Sequence, residues 1–374
     1  MFRKILCALI LAAAAPACAE QNDLLYQKAA IRLPDISIIG NMYGHLSDDG
    51  SDAARGQFAV RELELALAGY IYPQIKADAI FSAEKEGAEY STGVDEGKLT
   101  FEHLADGLSA EAGKVRVNFG KNNRLHPHSM PTVDRPAALT AFFGEEGLVG
   151  QGAAVSYILP LPFFAQAEFG GWKNDAPEAE MLEAEVNDTD GNPVTVKTTA
   201  PDENSVFGLS DSVVTGRLNS SFAPSAKSEL ELGASAAKGR GPFYGLHTDN
   251  ATVLGGDLTF RFWPGAYSRL TFQNEYFYLK RELASDTLYR RGMYSYLAWR
   301  FNKEWEAGSR FDYAESPYAQ NSIERAVSGI VSYNFNEMFT GRVQYKYRNL
   351  DGKPVNECWL QLIFGIGPHT HQMS

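Results

Sequence analysis

Thiols are almost absent from this 374-residue chain, and what few there are sit badly for chemistry. Cys7 and Cys18 belong to an N-terminal stretch that reads as an export signal, which leaves Cys358 alone in the expected mature protein. A single thiol excludes an internal disulfide and any paired-cysteine metal or redox motif. Catalytic signatures are missing as well: there is no Gly-x-Ser-x-Gly elbow, His-Glu-x-x-His helix or Walker loop, and an enzyme is not expected. Basic charge is in deficit, 34 Lys and Arg against 46 Asp and Glu, which argues against nucleic-acid binding. Beyond the N-terminus no apolar run approaches the roughly 20 residues of a membrane helix.

The N-terminus is the exception. Arg3 and Lys4, the apolar run Ile5 to Ala15 and the Ala17-Cys18-Ala19 site form a secretory signal over residues 1–19. Ala15 stands where a lipoprotein signal would carry leucine. The chain is therefore expected to be exported without a helical anchor.

What the sequence does have is alternation. Leu63, Leu65 and Leu67 oppose Glu62 and Glu64, and Val115, Val117 and Phe119 oppose Lys114, Arg116 and Asn118. This period of two is that of a strand with unlike faces. It recurs to the C-terminus, broken by short turns at Tyr72-Pro73-Gln74, Pro160-Leu161-Pro162, Pro264-Gly265, Asn302-Lys303 and Asn336-Glu337, and between these by longer polar stretches such as Lys85 to Glu96. About sixteen strands result. An even count with short turns at one end and long loops at the other predicts an all-β fold, a transmembrane antiparallel β-barrel in the Gram-negative outer membrane. Tyr72, Trp172, Trp263, Tyr267 and Trp305, beside the turns, are expected in the interfacial aromatic belts. Sixteen strands leave an aqueous lumen, and only a short segment, residues 20–34, precedes the barrel of residues 35–367, too little for a plug. Residues 368–374 form a periplasmic tail, in which His369 and His371 are expected to be solvated.

Between Asn118 and Gly152 the alternation stops. Residues 121–150 carry His-Pro-His, Met-Pro, Arg-Pro and Gly-Glu-Glu-Gly, and a structureless stretch of that length calls for a function such as folding into a cavity. It is expected to fold inward as the third long loop and constrict the pore through Lys121, Arg124, Asp134, Arg135, Glu145 and Glu146. Alternation assigns Glu62, Glu64, Lys114, Arg116, Arg300, Arg310, Arg342 and Lys346 to the lumen wall, with Asp257, Glu275 and Asp312 among the further acids. Acids are relatively frequent in the first half of the chain and bases dominate the last strands, so a transverse field is one outcome and mutual pairing the other. His126 and His128 could ligate a metal with Glu145 and Glu146, or serve only to fold the loop. Residues 174–211 form a long acidic external loop.

The block AGKVRVNFGKNNRLHPHSMPTVDRP, followed by FFGEEGLVGQG and supported by RELELALAGYIYPQIKAD, resembles bacterial outer-membrane proteins related to the phosphate-selective porins O and P. The resemblance covers most of the mature chain and implies a sixteen-stranded barrel with an inward third loop. Some relatives are labelled zinc-regulated outer-membrane receptors. The loop lacks a lysine ladder or arginine cluster, so phosphate selectivity does not carry over. The expected function is passive diffusion of small hydrophilic or ionic solutes through a porin-like channel, the alternative an outer-membrane receptor for metal uptake. Expected partners are outer-membrane lipid and lipopolysaccharide, with a homotrimer as the candidate assembly, no nucleic acid and no cofactor.

Overall fold

The computed structural model describes residues 34–52, 54–86, 89–174, 181–187, 193–199, 209–240, 250–282, 287–317 and 322–368. The expected signal peptide, nearly all of the N-terminal segment, nearly all of the tail and parts of the acidic 174–211 stretch lie outside the described residues.

The chain forms β1 (Asp35–Ser47), β2 (Gln57–Tyr72), β3 (Ile75–Glu86), β4 (Glu89–Ala105), β5 (Leu108–Arg116), β6 (Val149–Ile158), β7 (Phe164–Lys173), β8 (Met181–Asn187) and β9 (Pro193–Thr199). It continues with β10 (Ser210–Ser225), β11 (Ser228–Arg240), β12 (Asn250–Phe262), β13 (Arg269–Glu282), β14 (Thr287–Arg300), β15 (Trp305–Glu315), β16 (Ile323–Asn336), β17 (Phe339–Leu350) and β18 (Lys353–Ile366). Sixteen of them close an antiparallel barrel in sequence order, with β7 beside β10 and β1 beside β18. β8 and β9 pair only with each other. A single 3-10 turn (Pro127–Ser129) and one α-helix, α1 (Ala137–Phe143), lie between β5 and β6.

The faces are inverted relative to a water-soluble domain. On β2, Leu63 and Leu65 are 43% and 38% exposed, whereas Glu62 and Glu64 between them are 2% and 1%. The same inversion holds on β15, where Phe311 is exposed while Arg310 and Asp312 are buried, and on β17, where Val343 and Tyr345 are exposed against Arg342 and Gln344. A closed sheet leaves no unpaired edge, so its apolar outer face suits hydrocarbon and its polar face the interior. Tyr70, Tyr157, Tyr267 and Trp305 lie exposed at the ends bearing the shorter turns, as an interfacial belt requires. Trp172 does not join it. Its indole N–H donates to Thr215 Oγ1 at 2.8 Å on the inner face, where the residue is buried with Val213.

Two stretches depart from the sequence expectation. Residues 85–96, read as a loop for their polarity, fall largely within β3 and β4, with a register shift between Ile80 and Phe81 where β4 pairs. At the same end of the barrel, Asp351-Gly352 joins β17 to β18 directly. Both residues have positive φ, 53° and 84°, which a tight two-residue hairpin demands, so β18 starts at Lys353, where a longer polar stretch is expected between the strands. Lys114 also falls on the other side from its expected place. Its register partners are Gly97 and Gln151, its alternation is opposite to that of Glu111, and its ammonium donates to the exposed Val94 carbonyl at 2.7 Å. At Gly113 of β5, φ is 144° and an added Cβ would stand 2.0 Å from the Gly97 carbonyl oxygen, so substitution there would part β4 from β5.

Cys358 alternates with the buried Glu357 and Trp359 and shares the outward set of Leu360 and Phe364. In lipid vesicles a water-soluble thiol reagent should label it far more slowly than after unfolding, measured by mass shift. Fast labelling of the folded barrel would place it on the inner face.

Candidate functional site

The segment from Val117 to Leu148 touches strands on every side of the barrel, mostly through residues that alternate inward, such as Glu64, Glu231, Glu275, Arg310 and Lys346. Such a set of partners is reached only from inside the ring. β5 and β15, for example, stand opposite each other in the strand order, yet residues that follow β5 are bonded to β15.

The neck is held by amide chemistry. Asn123 Nδ2 donates to the carbonyls of Val117 and Leu148 at 2.7 and 2.9 Å, and its Oδ1 accepts from the Leu148 N–H at 2.8 Å, tying the two loop ends together. At Gly120, φ is +64° and a Cβ would lie 2.2 Å from Glu275 Oε2. Glycine there lets the chain close onto Glu275, whose carboxylate accepts the N–H groups of Lys121 and Asn122 at 2.9 and 3.0 Å and the Tyr294 hydroxyl at 2.5 Å. The Lys121 ammonium bonds Glu231 on β11. Arg124 reaches back to Glu111 on β5.

Next come the histidines, docked on acids of β2 and β4. His126 Nδ1 lies 3.0 Å from Glu64 Oε1 and 3.0 Å from Asp95 Oδ2, and its Nε2 lies 3.2 Å from Glu96 Oε1. His128 Nδ1 is 3.3 Å from Glu64 Oε1 and 3.8 Å from Glu62 Oε2. Burial disfavours the charged imidazole at both positions, but the surrounding carboxylates outweigh it. His126 is held well above the usual histidine range and His128 is pushed up to about 9. Glu145 and Glu146, the acids expected to serve them, are exposed elsewhere, and the Glu146 carboxylate accepts from Arg116 at 2.7 Å. Asp95 and Glu96 could not be proposed as partners from a stretch read as loop.

Six residues beyond His128 the loop meets a basic wall. Arg310 on β15 donates to both Asp134 carboxylate oxygens at 2.9 Å, to the Asp134 carbonyl at 2.8 Å and to Thr132 Oγ1 at 2.6 Å. Lys346 on β17 adds an ion pair at 3.0 Å and Gln344 a hydrogen bond at 2.5 Å. Burial would raise the Asp134 carboxyl, but Arg310 and Lys346 overcome it and hold the group below the ordinary aspartate range. Among the described residues Arg135 pairs with no carboxylate: it donates weakly to the Glu146 carbonyl at 3.4 Å, and burial, reinforced by Arg116, lowers it to about 10. α1 then inserts Ala138, Leu139, Phe142 and Phe143 among Phe119, Val253, Phe277 and Leu279, a hydrophobic core inside the barrel. Phe119 and Phe143 meet edge to face at 4.9 Å.

The expected set of opposed loop charges is therefore not what the structure assembles. Lys121, Arg124 and Asp134 are neutralised by wall residues, Arg135 is buried, and Glu145 and Glu146 are the loop's exposed acids. Wall charges pair likewise: Arg217 with Asp257 at 2.8 Å, Arg300 with Glu306 at 2.8 Å and Arg310 with Asp312 at 2.7 Å. Arg342 is an exception in kind, bonding the neutral Gln361 and Ser332.

No protein-family profile matches the chain. It is 26% identical over 363 residues to an uncharacterized protein of Aquifex aeolicus (strain VF5), covering 88% of this chain and 72% of that one. Among solved structures it is similar to an anion-selective porin from Comamonas acidovorans, with a TM-score of 0.60 at 9% identity, over 89% of this chain and all of that one. The outer membrane channel DcaP of Acinetobacter baumannii superposes with a TM-score of 0.55 at 12% identity, over 90% of this chain and 96% of that one. The fold is that of an outer-membrane porin barrel, in keeping with the inverted faces of its strands.

Asp134→Asn should destabilise the loop anchor by on the order of 2–3 kcal/mol, less than for a fully buried pair because the Asp134 side chain keeps 21% exposure. It leaves Arg310 and Lys346 without their shared anion. Trypsin should then cut at Arg124 or Arg135 at neutral pH, where the wild-type resists. In the wild-type the lowered carboxyl stabilises the folded state above about pH 4, and this contribution is lost as pH falls through the folded value. Pepsin cleavage within 126–144 should accordingly appear in the wild-type only under strongly acidic conditions.

Proposed function

We propose that the protein is a passive channel of the outer membrane for small hydrophilic or ionic solutes, with residues 121–150 setting the passage. The supporting observation is a segment fastened within a sixteen-stranded ring by wall charges on both sides, Glu64 and Asp95 to His126 and Arg310 and Lys346 to Asp134. A ring of this strand number is wider than most nutrients, so discrimination has to come from what lies inside it. With most loop charges neutralised by the wall, and Glu146 paired with Arg116, the exposed Glu145 is the group left to bias the passage, and it favours cations. The likeness to an anion-selective porin concerns the fold and leaves that sign to this chain's own residues.

Purified protein in a planar bilayer tests the reading, since a folded barrel without conductance at any voltage would end it. Deleting residues 126–144 should raise single-channel conductance. Reversing Glu145 and Glu146 to lysine should shift the reversal potential in a salt gradient towards anions. A deletion variant that folds and conducts as the wild-type does would place the loop outside the permeation path.

A further inference from the structure

We propose that Glu62, Glu64, Asp95 and His126 form a binding site for one divalent first-row transition cation, with His128 at its edge, which fixes the loop to β2 and β4. One donor atom from each of the four residues lies within 4.8 Å of the others, and all four side chains are buried. The inference needs the docked loop but not a conducting pore.

Charge balance alone does not account for the cluster. A proton on His126 Nδ1 can serve one acceptor well, yet Glu64 and Asp95 oxygens both stand 3.0 Å from that nitrogen. Donor atoms around a tetrahedral ion with bonds of about 2.0–2.1 Å lie roughly 3.3 Å apart, close to these separations. Neither carboxylate oxygen of Glu62 and neither ring nitrogen of His128 has a hydrogen-bond partner, although the side chains are only 3% and 0% exposed. His128 keeps its ion contacts with Glu64 and Glu62, but buried carboxylate oxygens without hydrogen bonds are costly, and a cation in the cluster would engage the Glu62 oxygens that hydrogen bonds leave idle.

The surroundings are those that support a ligand sphere. His126 can donate Nε2–H to Glu96 at 3.2 Å, which directs the Nδ1 lone pair towards Glu64 and Asp95, and Lys98 holds Glu96 from behind at 3.2 Å. A carboxylate behind a ligating histidine fixes its tautomer and strengthens it as a donor. Arg116 donates to both Asp95 oxygens at 3.2 Å, fixing that carboxylate's orientation. Imidazole nitrogen with carboxylate oxygens and no sulfur suits Zn²⁺, Fe²⁺ or Ni²⁺, and disfavours Cu⁺, which seeks thiolates, and Ca²⁺, which seeks oxygen alone.

Untagged protein, stripped with chelator and dialysed against buffered Zn²⁺, should retain close to one equivalent by elemental analysis, undiminished by excess Ca²⁺. X-ray absorption should show only nitrogen and oxygen neighbours near 2.0–2.2 Å, including imidazole. His126→Gln should abolish stoichiometric retention, and Glu96→Gln, which touches no ion, should weaken affinity by about 10–100-fold. Folding of each variant is read from heat-modifiable migration. A His369→Ala/His371→Ala double variant should bind as the wild-type does. Wild-type protein retaining no stoichiometric Zn²⁺, a first shell without imidazole, or retention lost with His369 and His371 would each overturn the site, and none of these results bears on conductance.

Discussion

Everything inside this barrel depends on one constraint: a charge taken out of water must meet its opposite. The wall supplies two unlike arcs, acids on β2 and β4 and bases on β15 and β17, and the loop presents the complement to each within a few residues. His126 and His128 face the acids. Asp134 faces the bases. Reversing either end would set like charges together at positions largely shielded from solvent. The hydrophobic contacts of α1 add cohesion, but they are non-directional, and it is the ion pairs that set where along the wall each residue sits.

Much of the barrel was legible because alternation is a local property. The inversion of leucines and glutamates on β2 can be read from five consecutive residues, and the structure bears it out. The misreadings cluster where alternation is interrupted. β4 reads as loop because Gly93, Gly97 and a run of acids mask its pattern, and the register shift facing Phe81 moves Asp95 out of phase. Lys114 escapes the pattern for a different reason: Val115, Val117 and Phe119, which read as a lipid-facing row, point instead into the core that α1 builds inside the barrel, and this turns Lys114 outward. Trp172 looked like a belt residue from its place near a strand end, although its register with Val213 turns it inward.

The loop was the least legible part, because its meaning lies in partners far along the chain. His-Pro-His suggested a ligand pair, but Glu62, Glu64, Asp95 and Glu96 are brought to it by barrel closure and not by spacing. Arg310, Gln344 and Lys346 find Asp134 in the same way. Glu275 was placed on the inner face from the sequence, while its role in gripping the backbone at Gly120 needed coordinates.

Closure of β1 on β18 also imposes an order of events. His126 finds its acids between 30 and 62 residues upstream, within the first four strands, whereas Asp134 waits for groups 176 to 212 residues downstream. During assembly His126 and His128 can meet their acids within the N-terminal strands while Asp134 remains unmatched until the last hairpins arrive. Contacts so distant in sequence form late, because their loop-closure entropy is met before they give anything back. A chain truncated before β15 would keep one fastening and lack the other, so the attachment of Asp134 records that the barrel has been completed.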